Sequence, residues 1–156
     1  MIGIVLQVVA LVAVSWITFS TGRQSVSLGF VDVFRQLPSD SSGLAEFYVQ
    51  ALAILATVLA ACVSLVWTLG AYRGARSARL LSGIRSRELT RANFGRYRFG
   101  IAARAGVMLV VHLAGIIAMY GKDLSAIGPG PYLLLGGGVL IVVGAAIGPR
   151  PGPGMH

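Results

Sequence analysis

Residues 72–104 read YRGARSARLLSGIRSRELTRANFGRYRFGIAAR and hold nine of the chain's twelve arginines. Around this basic segment the sequence is apolar, with stretches at 2–19, 47–69, 101–120 and 131–147. A hydrocarbon core of about 30 Å is crossed by roughly 20 residues of helix, a length that three of the four stretches meet. The fourth, 131–147, reaches it only with help from the turn near Gly128 or from local thinning of the bilayer. The pattern predicts an all-α integral membrane bundle of four transmembrane helices in one domain, residues 1–148, followed by a disordered Pro- and Gly-rich tail at 149–156.

Composition agrees with that class. Of the 156 residues 56% are hydrophobic and only 12% charged, against about 25% charged in soluble domains, and the mean hydropathy is +0.80. The formal charge of +8 sits almost wholly in one connection between spans, so its expected partner is a layer of anionic phospholipid and not nucleic acid. Cys62 is the only cysteine and falls inside an apolar stretch, which leaves no intramolecular disulfide. The first stretch lacks the basic flank of a secretory signal and reads as an uncleaved first helix.

Charge asymmetry predicts the orientation. Residues 20–46 carry Arg23 and Arg35 against Asp32, Asp40 and Glu46, residues 70–104 carry nine arginines against Glu88, and the third connection pairs Lys122 with Asp123. Cytoplasmic loops collect Lys and Arg, so the arginine segment and both termini are expected in the cytoplasm. Trp16, Phe19, Phe47, Tyr48, Trp67, Tyr72, Tyr97, Phe99, Tyr120 and Tyr132 mark the ends of the spans, as amphipathic rings at a headgroup boundary would. The Ala, Gly, Val and Arg bias over Lys resembles that of proteins from high-GC bacteria, and the expected location is a bacterial plasma (inner) membrane.

Two connections carry local signals. Phe30, Val31, Val33, Phe34 and Leu37 follow helical spacing until Pro38, predicting a short interfacial helix in the first outer loop, seated on lipid or folded onto the protein's own helices. Past the second span, Arg73, Arg76 and Arg79 recur every three residues on a continued helix, and Asn93 and Gly95 suggest a turn before the third. Arg85, Arg87, Arg91, Arg96 and Arg98 could dock an acidic partner or a phosphate-bearing lipid through guanidinium forks. Arg104, one turn inside the third span, must snorkel or pair with another subunit.

Few residues inside the spans could carry chemistry. His112 lies near the middle of the third stretch, where an ionisable group is costly. It could relay a proton, hold a quinone or ligate haem, but a second axial histidine within the chain could come only from terminal His156; the bland alternative is a neutral imidazole bonded to a backbone carbonyl, Gln7, Gln50 or Thr57. No carboxylate lies within a span, which argues against ion-coupled transport. Ala56, Ala60 and Ser64, then Gly106, and Gly144 with Gly148, form small-residue stripes that let helices approach closely. Gly136-Gly137-Gly138 offers a flat face to a neighbour or a lipid.

Four spans with a short first outer loop resemble the tetraspan junction proteins in outline, without the cysteine pair those proteins carry in that loop. Residues 87–93 are similar to an Arg- and Asn-bearing segment of glutathione-dependent membrane enzymes, but follow the second span instead of the first, and no residue role carries over from either. The expectation is a non-catalytic accessory or assembly subunit of a larger membrane complex of respiratory, secretion or cell-envelope type. It would bind other integral membrane subunits and anionic phospholipid, with no cofactor, metal or enzymatic activity. The alternatives are a redox or lipid-processing protein using His112 with a quinone or lipid, and a homo-oligomeric pore or carrier.

Overall fold

The computed structural model describes residues 1–21, 24–35, 43–72, 91–121 and 124–148. It is mostly helical, and three helical segments are long and apolar enough to cross a membrane: Gly43–Leu65, Arg91–Tyr120 and Pro129–Ile147. In chain order the elements are α1 (Ile2–Val12), a hairpin of β1 (Ser15–Thr21) and β2 (Gln24–Gly29), α2 (Phe30–Arg35), α3 (Gly43–Phe47), a π-helical turn (Tyr48–Leu52), α4 (Ala53–Tyr72), α5 (Arg91–Tyr120), a 3₁₀ turn (Leu124–Ala126) and α6 (Pro129–Ile147).

Three clusters give the directions of the helices. At one end Ala10, Trp16, Phe30, Tyr48, Ile116, Tyr120 and Leu134 pack together. Midway Ala60, Ala105 and Ile141 meet, with Ile4 against them. At the far end Phe94, Ile101 and Ala145 join Val63 and Tyr97. Thus α1 and α5 run towards the hairpin, while α4 and α6 run away from it towards the arginine end.

The first apolar stretch departs from the expected helix over 2–19. The helix stops at Val12, where the Ala13 N–H still bonds the Val9 carbonyl at 2.9 Å. Its 11 residues cover about 17 Å. Beyond it, β-branched and aromatic residues alternate with hydroxyls, a period-two pattern that fits a half-buried strand. The pairs Ile17↔Leu28, Thr18↔Ser27 and Phe19↔Val26 define an antiparallel register, with a bulge between Ser15 and Ile17. A bulge re-aims its side chain, and here it sends Trp16, with no exposed surface, into the end cluster.

Trp16 ties that end together. Its indole N–H donates to the Ala10 carbonyl at 2.7 Å, one of the acceptors that the end of α1 leaves without a helical partner. Its own carbonyl accepts from the Gly128 N–H at 2.7 Å and from the Tyr120 hydroxyl at 2.8 Å. The ring lies 4.8 Å from that of Phe30. Helix α2 therefore faces two ways: Phe30 and Val33 are buried, whereas Val31 and Phe34 are about half exposed.

The arginine end also differs in one respect from the sequence reading. Asn93 and Gly95 lie within the 30-residue α5 and make no turn before it. Their intrinsic helix penalty is at most about 1 kcal/mol each, and the buried Phe94 between them anchors the helix among Ile101, Ala145 and Val63. Arg73, Arg76, Arg79, Arg85 and Arg87 lie outside the described residues, as does the tail 149–156.

Helix α1 sits on α6 by glycine contact. A Cβ on Gly137 would come within 2.6 Å of the Gly3 carbonyl oxygen and 2.8 Å of Gln7 Cγ, and one on Gly138 within 2.8 Å of Leu109 Cδ1, while Gly136 has open space around its Cα. Two of the three consecutive glycines thus serve packing within the chain and the third faces outward. Gly137→Ala is expected to destabilise the bundle by about 1–3 kcal/mol through forced separation of the two backbones. Gly136→Ala should be neutral or stabilising by up to about 1 kcal/mol; denaturant titration in detergent micelles measures both.

Candidate functional site

Among the described residues, the buried polar side chains are Gln7, Thr57 and His112, joined by the hydroxyl of fully buried Tyr48. The Tyr48 Oη lies 3.0 Å from His112 Nδ1, and the Thr57 Oγ1 lies 3.4 Å from His112 Nε2. The Thr57 hydroxyl has a single hydrogen, which it donates to the Ala53 carbonyl at 2.9 Å. Towards the imidazole it can therefore only accept, so the bonding network assigns the ring proton to Nε2 and makes Nδ1 the acceptor of the Tyr48 O–H. Each hydrogen in the chain Tyr48, His112, Thr57, Ala53 is used once.

Tyr48 reaches His112 because its helix is wound differently at that point. The Ala53 N–H bonds to the Tyr48 carbonyl, five residues back. The extra residue in this turn shifts the inward face, so that Tyr48, Ala53, Thr57 and Ala60 align where a uniform α-helix would place Leu52 over Tyr48. Across the interface Gly115 completes the fit, since a Cβ there would collide with the Tyr48 ring. Tyr48, read from sequence as a headgroup marker, is instead wholly buried, and so is Trp16; Phe19, Phe47, Phe99 and Tyr132 remain exposed.

Gln7 is less well served. Its Nε2 reaches the Leu134 carbonyl only at 3.5 Å, and its Oε1 has no partner among the described residues. Gln50 bonds Glu46 Oε1 on its own helical segment at 2.9 Å, so it links no helices. Ser64 donates back to the Ala60 carbonyl at 2.7 Å.

Among the small residues, Ala56 and Ala60 are buried between helices, whereas Gly106 and Gly144 have open space where a Cβ would stand. Gly148, at φ 59°, caps α6 and lies against the Arg98 side chain. Placing a guanidinium stem over the carbonyl end of α6 is favourable to the helix dipole. Arg91 and Arg96 are exposed. Arg104 is exposed too, although the adjacent Ala105 belongs to the mid-bundle cluster, and Cys62 is exposed.

The chemistry open to this arrangement is narrow. Both imidazole nitrogens of His112 are occupied by hydroxyls of the same chain. No group of three or more His, Cys, Asp or Glu with metal-holding geometry occurs among the described residues. No family model, curated protein or solved structure matches the chain.

Tyr48→Phe would leave Nδ1 as a buried acceptor without a donor, and should cost about 1–2 kcal/mol, the range between measured intramembrane hydrogen bonds and a fully unmet polar group. Thr57→Val removes a longer bond and should cost under about 1 kcal/mol. Thermal unfolding of the two variants in micelles tests the order; equal losses would contradict the directional chain.

Proposed function

We propose that the chain is a non-catalytic accessory or assembly subunit of a larger membrane complex of respiratory, secretion or cell-envelope type. In this reading it crosses a bacterial plasma membrane four times, with both termini and the arginine segment in the cytoplasm. Helix α1 makes the first crossing. It is short for the purpose, but it lies along α6 from the level of Ile141 to that of Leu134, and local thinning of the bilayer accommodates the difference. Helix α2 is then the outer interfacial helix, burying Phe30 and Val33 against the bundle and offering Val31 and Phe34 to the boundary.

One observation carries the subunit reading. Arg104 sits on the outward side of α5, at the depth of the mid-bundle cluster, and makes no hydrogen bond or ion pair among the described residues. A charged group at such depth is costly unless it snorkels or is paired from outside. The outward Gly106 and Gly144, which no other helix among the described residues covers, leave room for close approach of a neighbouring helix. Inside the bundle, by contrast, His112 has no unshared nitrogen for a quinone or haem, which favours a structural role for it. Arg91, Arg96 and Arg98 at the cytoplasmic end would hold anionic headgroups, each contributing on the order of 1 kcal/mol.

Purification of the chain from its native membrane in mild detergent is expected to bring a stoichiometric partner. Arg104→Gln should reduce partner recovery at least tenfold, equivalent to about 1.4 kcal/mol, without changing the stability of the bundle, and Arg104→Lys should restore only part of it because a single ammonium lacks the guanidinium fork. An isolated, active homo-oligomer, or recovery indifferent to Arg104, would overturn the reading.

A further inference from the structure

We propose that the β1–β2 hairpin lies on the bilayer surface at its end of the bundle, with Phe19 and Val26 dipping between lipid headgroups and Thr18, Ser25 and Ser27 facing water. Residues directly opposite in an antiparallel pair share a face, and successive residues alternate. The register therefore puts Ile17, Leu28, Phe19 and Val26 on one side and Thr18 and Ser27 on the other. Ile17 and Leu28 are half-buried against the end cluster, so the apolar side is the one turned towards the bundle. Phe19 and Val26 continue that side about 7 Å further out, two residues along each strand, where they are 47% and 55% exposed.

What lies beneath that overhang follows from its surroundings. Ile17 also bridges Ile127 in the connection between α5 and α6, which fixes the base of the hairpin at the level where the spanning helices end. At that level Phe47, Leu124 and Tyr132 are 55%, 70% and 64% exposed, forming an apolar and aromatic fringe continuous with the lipid-facing sides of α5 and α6. Aromatic rings at this depth favour the headgroup boundary. The hairpin backbone cannot go deeper, because β2 has no strand on its outer edge among the described residues and unpaired backbone groups are not tolerated in hydrocarbon. Only the side chains of its lower face enter lipid. The inference holds for either orientation of the bundle and does not depend on any partner subunit.

Nitroxide labels test it in the full chain, in phosphatidylcholine–phosphatidylglycerol vesicles, on a Cys62→Ser background. Single variants Thr18→Cys, Phe19→Cys, Val26→Cys and Ser27→Cys are labelled, and relaxation by oxygen is compared with relaxation by a water-soluble nickel chelate. Labels at 19 and 26 should respond to oxygen several-fold more than to nickel, and labels at 18 and 27 the reverse. Nickel dominance at all four would mean that the hairpin stands in water; shielding of 19 and 26 from both reagents would mean that protein, a second copy or another chain, covers them. Either outcome overturns the proposal. Should labelling disturb the fold, the unmodified chain in nanodiscs gives a second reading, in which the Val26 methyl signals broaden with a lipid-borne nitroxide and not with an aqueous gadolinium chelate.

Discussion

Without water at the depth where the long helices pack, every polar group there needs a partner from the chain itself. Two knots meet that demand. At the hairpin end Trp16 joins the end of α1, the start of α6 and the end of α5 through its indole nitrogen and its carbonyl. One level deeper Tyr48, His112 and Thr57 pass hydrogen bonds in one direction to the Ala53 carbonyl. The π-helical turn and the bulge at Trp16 are both departures from regular backbone that aim a large polar-tipped aromatic inward. Gln7, with its unpartnered Oε1, is the one described side chain left short.

Between the knots, packing rests on the absence of side chains. Gly3 and Gly137 bring the backbones of α1 and α6 together, Gly138 admits Leu109, and Gly115 receives the Tyr48 ring. Dispersion contacts of this kind drive association where lipid is as apolar as the helices themselves. The same residue type on the outside, at Gly106, Gly136 and Gly144, meets nothing among the described residues. The small-residue pattern therefore divides into an inner set that assembles the bundle and an outer set available to a neighbour.

Much of this was legible in the sequence. The long helices follow from uninterrupted apolar length, and the expected 131–147 became Pro129–Ile147, started by a proline in its first turn. Helical spacing from Phe30 gave α2. Apolarity alone, however, does not distinguish helix from strand in a short run, so the hairpin hid inside what read as one helix over 2–19. Tyr48 reads as a headgroup marker in the sequence and not as a core residue because a π-helical turn changes the phase of the inward face, and no single residue announces such a turn. Its partner Gly115 was equally silent, since one glycine in an alanine- and glycine-rich helix carries no label. For the same reason aromatic residues at the ends of spans could not be divided beforehand into Phe47 and Tyr132, which face outward, and Trp16 and Tyr120, which hold the core.

With both His112 nitrogens bonded within the chain, the buried imidazole is closed to a ligand, and the proposed partner would be met at the outward surfaces, Arg104 among them. The protonation of His112 tests that closure most directly. Nitrogen-15 NMR of histidine-labelled chain in lipid bilayers, with His156→Gln to remove the second imidazole, reads which ring nitrogen bears hydrogen. A closed core predicts a single neutral tautomer protonated at Nε2, with Nδ1 accepting from Tyr48 and no magnetisation transfer from water. A proton on Nδ1, an imidazolium, or exchange with water would contradict it.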